Sequence, residues 1–306
     1  MNKDFVSSND ISPDEIQKVF SLSARLKKNR LLYKNLISNK TIIMIFDKPS
    51  TRTKISFFVG IKELGGEVVS LNSSELQIGR GETIEDTART LSRYAHGIII
   101  RTFEQKTVEL LAKNFRYPVI NALTNHEHPC QAISDAFTIY EKFGNFNLKL
   151  SFLGDFNNVA YSLFIILAKL KIKELCFSGP EKMFDKDFEN KIKTISEGKT
   201  NFYYENDPKK AVKSADIIYT DVWVSMGFED KEKDKESKMY PYQVNSELIS
   251  LTGKNTLFMH CLPAKRGKEV SDDVIDSSAS IVFDQAENRL HTQKALMVLL
   301  YKDKDF

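Results

Sequence analysis

Short apolar runs rich in β-branched residues alternate along this chain with longer stretches whose apolar positions recur at helical spacing. Thr41 to Phe46 reads as a buried strand, and Thr51 to Leu64 as a helix that stops at Gly65-Gly66. Ahead of them, Ser12-Pro13-Asp14-Glu15 has the form of a capping box with proline at the first helical position. Ile16, Val19, Phe20 and Leu26 give the helix it opens one apolar face. Glu67 to Leu71 is a second strand, and Asn72 to Gly81 is a polar, glycine-punctuated loop. A helix over Thr83 to Ala95, a strand over Gly97 to Arg101, a helix over Glu104 to Asn114, a strand near Pro118 to Asn121 and a helix from Pro129 continue the alternation. That order predicts a mainly parallel sheet.

The second half repeats the layout without repeating the sequence. Leu148 to Leu153 predicts a strand, Gly154 to Asn158 a turn, and Val159 to Leu170 a helix. Further strands fall at Glu174 to Ser178, Asn201 to Tyr204, Asp216 to Thr220 and Thr256 to Met259, and Gln285 to Tyr301 reads as the last helix. The fold class expected is therefore α/β, with two doubly wound domains, each a mainly parallel sheet flanked by helices. The polar stretch Gly144 to Asn147 marks the boundary, giving domains over residues 1–144 and 145–284. The turn after the first strand of the second domain holds Gly154 but no G-x-G-x-x-G, which disfavours a dinucleotide site. The mixed-charge run Glu229 to Lys238 reads as a solvated face or loop, with a mobile lid as the functional alternative.

Composition narrows the function classes. The 44 basic and 41 acidic residues leave a formal charge of +3, too balanced for a nucleic-acid or membrane-surface binder. No apolar stretch has the length of a membrane span and the N-terminus lacks an apolar leader, so a cytoplasmic protein is expected. Cys130, Cys176 and Cys261 stand without metal-ligand spacing, giving neither a disulfide framework nor a zinc site.

Candidate chemistry concentrates where strands turn into helices. Ser50-Thr51-Arg52-Thr53 lies at such a junction, where the first backbone N–H groups have no intrahelical partners and the helix dipole favours negative charge. Hydroxyls and a guanidinium add donors, so the junction is suited to a phosphate. A helix cap accounts for one hydroxyl, but not for Arg52 beside two more. Arg101 ends a strand, and His128-Pro129-Cys130-Gln131 forms a second strand-to-helix junction, so these groups can converge with Arg52 from neighbouring strand ends. Taken singly, Arg101 reads as a strand-end ion pair and His128 as a core histidine.

Ser50-Thr51-Arg52-Thr53 resembles the carbamoyl-phosphate signature of the aspartate/ornithine carbamoyltransferase family. The residues from Gln77 to Arg89, His128-Pro129-Cys130-Gln131, Asp221 to Gly227 (with Ser225-Met226-Gly227), and His260-Cys261-Leu262-Pro263 agree with it in order. The resemblance runs from about Thr41 to the last helix and implies an active site in the cleft between the domains. It assigns carbamoyl phosphate to Ser50, Thr51, Arg52, Thr53, Gln77, Arg101, His128, Pro129, Cys130, Gln131 and Arg289. The amine substrate falls to Asn158, Asp221, Ser225, Met226, Cys261 and Leu262, with Arg101, His128, Asp221 and Cys261 in catalytic roles. It implies that the last helix, 285–306, completes the carbamoyl-phosphate domain, and that a homotrimer forms in which the Gln77 loop reaches a neighbour's site. No metal or cofactor is needed.

The amine half selects the substrate. Asp221 follows a buried strand, where a carboxylate is costly unless a cation such as an ammonium meets it. Its plainer role is a helix cap, and that of Cys261 a small buried hydrophobe. Ser-Met-Gly and His-Cys-Leu-Pro favour ornithine, with citrulline and phosphate as products, over aspartate, whose enzymes carry basic residues there. N-acylated ornithine and putrescine stay open, as does the direction of flux. From other classes, a non-catalytic anion-binding module and a nucleotide-dependent oxidoreductase are the rivals. Asn125, in Leu123-Thr124-Asn125, departs from the Leu-Thr-Asp more usual in the family and removes a charge near His128.

Overall fold

The computed structural model describes residues 3–77, 81–223 and 232–302. The chain divides into two compact units, Met1–Phe137 with Glu287–Phe306, and Thr138–Ala286.

The first unit contains α1 (Pro13–Lys28), β1 (Thr41–Phe46), α2 (Arg52–Glu63), β2 (Glu67–Leu71), α3 (Ile84–Leu91), β3 (Gly97–Arg101), α4 (Gln105–Asn114), β4 (Val119–Leu123) and the start of α5 (Pro129–Phe143). Its sheet runs β2-β1-β3-β4, all parallel. The central strands are apolar on both faces because helices cover both faces of such a sheet. Ile43, Ile45, Ile98 and Ile100 pack with Ala88, Val108, Leu111 and Phe115 in one core cluster. The Ser12 capping box is complete: the hydroxyl accepts from the Glu15 backbone N–H, and the Glu15 carboxylate accepts from the Ser12 N–H at 2.9 Å. Strand order reverses between β1 and β3, the place where such sheets leave a crevice at their C-terminal edge.

The second unit holds β5 (Lys149–Leu153), α6 (Asn158–Lys169), β6 (Glu174–Ser178), α7 (Lys186–Ile195), β7 (Asn201–Tyr204), α8 (Pro208–Ala211), β8 (Ile217–Thr220), α9 (Glu232–Met239), α10 (Ser246–Ser250), β9 (Leu257–His260) and α11 (Asp272–Ile275). Its parallel sheet is ordered β7-β6-β5-β8-β9, with the reversal between β5 and β8. Leu153, Ile218, Phe258, Val244, Val270 and Val274 belong to one core cluster. On β5, Phe152 stacks on Tyr219 with ring centroids 5.1 Å apart.

The last helix, α12 (Val282–Tyr301), begins at Val282 rather than Gln285, with Val282 buried and Phe283 exposed. Its C-terminal part belongs to the first unit. Tyr301 donates from its hydroxyl to the His96 carbonyl at 2.8 Å, and Lys294 donates to the Glu63 carboxylate at 2.6 Å and to the Arg30 carbonyl. The charged run, expected as a solvated face or loop, is helical over Glu232–Met239; the lid reading falls partly on residues 224–231, which lie outside the described residues.

Candidate active site

In the first unit, Thr51 is the residue before α2, but its backbone is already helical and its side chain makes no capping hydrogen bond. Capping therefore does not account for the hydroxyl of Thr51, an exposed residue at the helix N-terminus, where the first-turn N–H groups have no acceptor within the helix itself. Thr53, in the first turn of α2, is buried and its hydroxyl accepts from Arg289 at 3.1 Å. Arg289 also donates to the Gln131 side-chain oxygen. With its amide oxygen turned toward this guanidinium, Gln293 accepts at 2.8 Å and donates to Ser56 at 2.7 Å. A buried arginine on α12 thus joins the N-terminal turns of α2 and α5, and Gln131 is fixed from its other side by donating to Asp135 at 2.8 Å.

Arg101 ends β3 at a register shift: Ile100 pairs with Asn121, Arg101 with Leu123. Such a bulge re-aims the side chain that follows it. Arg101 is buried, and its carbonyl accepts from the Asp47 N–H at 2.9 Å, tying the strand end to the loop that leads into α2. His128 is buried at the start of α5. Burial, then the positive charges of Arg289 and Arg101, hold its imidazole well below the usual histidine range. A neutral imidazole beside two guanidiniums donates one N–H without adding a third positive charge. Pro129 is the first residue of α5. The Cys130 thiol donates to the Asn121 carbonyl at 3.3 Å and is pushed up to about 12 by burial, so it is a packed thiol rather than a thiolate.

The loop before His128 is held by residues far away in sequence. The Glu127 carboxylate accepts from the Ser8 N–H at 2.6 Å and the Ser7 hydroxyl at 2.7 Å, while Thr124 accepts from the Glu127 N–H at 3.0 Å. Lys48, which sequence reasoning missed, is buried and donates to Asn125 at 2.5 Å, with its ammonium 4.6 Å from the centre of the Phe103 ring. Burial and the charge of Arg101 push it below the ordinary lysine range, with Glu104 opposing. Asn125 therefore meets Lys48. Gln77 is exposed, and among the described residues it makes no hydrogen bond to this set.

In the second unit the ends of β5, β8 and β9 bring three side chains together. Asp221, directly after β8, is buried; its Oδ1 accepts from the Cys261 thiol at 3.0 Å, and its Oδ2 from the Asn157 amide at 2.7 Å. Asn157 also caps α6, its side-chain oxygen accepting from the Val159 and Ala160 N–H groups at 3.0 and 3.1 Å. Of the adjacent pair Asn157-Asn158, Asn157 is thus the cap and the neighbour of Asp221, whereas Asn158 is the first helical residue. Among the described residues, the Asp221 carboxylate meets Cys261 and Asn157 rather than a helix N-terminus.

Cys261 and Leu262 sit in a loop locked by His260. The His260 Nδ1 accepts from the Leu262 N–H at 2.8 Å, so its Nε2–H faces the buried Glu269 carboxylate at 3.1 Å. Leu262 adopts a left-handed backbone, φ 59°, which a non-glycine residue keeps only when its surroundings hold it. The ligand atoms of Asp221, His260 and Cys261 lie within 4.8 Å of one another, a juxtaposition invisible in cysteine spacing along the chain. Each of these groups already has protein partners, so the cluster reads first as a satisfied polar network. Ser225 and Met226 lie outside the described residues.

Comparison with known proteins finds two family matches that together cover most of the chain. Residues 3–141 match the family described as the carbamoyl-P binding domain of aspartate/ornithine carbamoyltransferase, and residues 146–300 match its Asp/Orn binding domain. The chain is 46% identical over 305 residues to an ornithine carbamoyltransferase of Methanocorpusculum labreanum, with 98% of each chain covered. It is also 46% identical to a catabolic one of Thermoplasma volcanium, over 97% of this chain and 98% of that protein. Among solved structures, the ornithine carbamoyltransferase of Pyrococcus furiosus superposes with a TM-score of 0.93 at 44% identity, covering 99% of this chain and 98% of the other. The anabolic enzyme of Campylobacter jejuni does so with a TM-score of 0.89 at 33% identity, covering 99% and 100%.

Proposed function

The chain belongs to the aspartate/ornithine carbamoyltransferase family, and from that premise we propose that it transfers the carbamoyl group of carbamoyl phosphate to the δ-amine of L-ornithine, giving L-citrulline and phosphate. The carbamoyl-phosphate domain is residues 1–144 completed by 285–306, and the ornithine domain is 145–284. The observation that carries ornithine over aspartate is the buried Asp221 carboxylate with the Cys261 thiol 3.0 Å away. A buried carboxylate suits an ammonium or amine and repels a second carboxylate.

The phosphate is held by the first-turn N–H groups of α2 with Ser50, Thr51, Arg52 and Thr53, and by Arg101, Arg289 and Gln77. The carbamoyl group meets Arg101, His128 and Gln131, supported by the Pro129-Cys130 turn. As the amine nitrogen attacks, the carbonyl π electrons move onto oxygen, and preorganised donors there stabilise the developing charge, each worth roughly 2.7–4 kcal/mol in measured oxyanion holes. The neutral His128 supplies such a donor, and Arg101 spans oxyanion and phosphate. Ornithine is held by Asn158, Asp221, Ser225, Met226, Cys261 and Leu262. Its δ-ammonium, of ordinary pKa about 10, loses a proton before attack. The tetrahedral intermediate then expels phosphate, which leaves with the C–O bonding pair and takes the second amine proton. All atoms balance without a cofactor or metal.

The enzyme works as a homotrimer in the cytoplasm, in arginine biosynthesis. Exposed Ile55 and Phe58 on α2 and Val69 on β2 support a self-association surface on the first unit. The three cysteines are all free, as in a reducing compartment. The test is citrulline and phosphate release with ornithine, aspartate, N-acetylornithine and putrescine side by side. Turnover is expected with ornithine, and preference for any of the others overturns the assignment.

A further inference from the structure

We propose that Lys48 is a positioning residue of the anion site, clamping together the three strand-end loops that carry Ser50 to Thr53, Arg101, and His128 to Gln131. Each partner in the clamp sits two residues beyond the end of a strand. Lys48 follows β1, which ends at Phe46; Phe103 follows β3, which ends at Arg101; Asn125 follows β4, which ends at Leu123. These strands are neighbours in the order β1-β3-β4, so the three loops leave the sheet side by side. The backbone already joins them in pairs. The Asp47 N–H donates to the Arg101 carbonyl at 2.9 Å, the Thr102 N–H to the Leu123 carbonyl at 3.0 Å, and the Asn125 N–H to the Phe103 carbonyl at 2.8 Å.

One side chain reaches across all three. The Lys48 ammonium donates to the Asn125 oxygen at 2.5 Å and lies 4.6 Å from the Phe103 ring centre, while its stem is 8% exposed. These two contacts, an amide dipole and an aromatic quadrupole, orient the charge without neutralising it, and the Glu104 carboxylate acts on it only through space. Burying an ammonium this way, near the Arg101 guanidinium, costs free energy that a bound dianion returns. The residues at stake are the ones the anion reading uses: Ser50 to Thr53 begin two residues after Lys48, Arg101 two before Phe103, and His128 three after Asn125. A shift of one loop against another misplaces donors that must converge on a single phosphate, and misplacement of donors is costly in such sites.

This inference rests on the assignment of the first unit to carbamoyl phosphate, so the experiment carries a separate arm for that assignment. Lys48→Met, Asn125→Ala, Asn125→Asp and Arg52→Ala are compared with the intact protein by calorimetric titration of inorganic phosphate and of carbamoyl phosphate. Ornithine KM and thermal melts are measured in parallel. Lys48→Met is expected to weaken phosphate about tenfold, the scale of one charge-assisted hydrogen bond, at temperatures where the melt shows a folded protein, and to leave ornithine KM within about twofold. Asn125→Ala is expected to weaken phosphate several-fold, since it removes the side-chain acceptor of Lys48, and Asn125→Asp, which still accepts from Lys48, is expected to restore affinity. Unchanged phosphate affinity in folded Lys48→Met overturns the proposal. So does an Asn125→Ala protein that binds as the intact one does, since Lys48 then acts without its clamp, or an Asn125→Asp protein as impaired as Asn125→Ala. Intact phosphate binding by Arg52→Ala sinks the anion site itself, whatever Lys48 does.

Discussion

Lowering the pH should destabilise this protein through His128, by an amount that can be worked out. In the unfolded chain the imidazole titrates at its ordinary 6.5, whereas in the fold burial and the charges of Arg289 and Arg101 hold it well below that. Below 6.5 the unfolded state therefore binds a proton that the folded state refuses. The derivative of unfolding free energy with pH is positive there, so the stability contributed by neutral His128 is full above 6.5 and is lost as the pH falls, until the folded imidazole itself protonates. The loss is about 1 kcal/mol over the first pH unit and approaches about 1.4 kcal/mol for each further unit in that window. His96 and His291, also depressed by burial, add slopes of the same sign, as do carboxylates held low by cations, such as Glu63, at lower pH. Only a difference isolates His128. Chemical denaturation of the intact protein and of His128→Gln, at two pH values one unit apart below 6.5, gives that difference. The variant is expected to lose about 1 kcal/mol less between the two pH values, even if its absolute stability is lower. Equal losses would mean that His128 is protonated in the fold, and with it would go the neutral donor assigned to the carbamoyl oxygen.

Three further outcomes follow from particular contacts. Arg289→Lys keeps the charge but loses the planar fork that reaches Thr53 and Gln131 together, and should weaken carbamoyl-phosphate binding by about 2 kcal/mol, read by calorimetry. Cys261→Ala removes the donor from Asp221 Oδ1 and should lower kcat/KM for ornithine several-fold, about 1 kcal/mol, with carbamoyl-phosphate affinity unchanged. Cys261→Ser, which keeps a donor, should recover much of it, and unaltered ornithine kinetics in Cys261→Ala would return the thiol to packing. Gly97→Ala places a Cβ 2.0 Å from the Tyr301 hydroxyl, a buried group already hydrogen-bonded to His96; a loss of roughly 1–3 kcal/mol is expected, and an unchanged melting temperature would show that α12 yields there.

Much of the architecture was legible in the chain because it is local. Alternating apolar runs and helical periods locate β1, α2, β3 and α5 within a residue or two, and Ser12 announces its capping box through Glu15 three positions on. The strand-to-helix junction at Ser50 to Thr53 is likewise local, since a helix N-terminus presents its donors wherever it occurs. What the sequence pattern could not decide is which strand ends lie side by side. Arg289 reaches Thr53 across 236 positions and Gln131 across 158, and no period in the chain connects them. Asn157 rather than Asn158 reaches Asp221, because one cap geometry turns one side chain toward the end of β8. Lys48 carries no signal along the chain, and only the adjacency of β1, β3 and β4 places Phe103 and Asn125 around it. Periodicity reports the conformation of a segment, which short-range sterics and hydrogen bonds set. Convergence of side chains depends on strand order, fixed by burial of whole helices and sheets against one another, and only the folded chain carries that information.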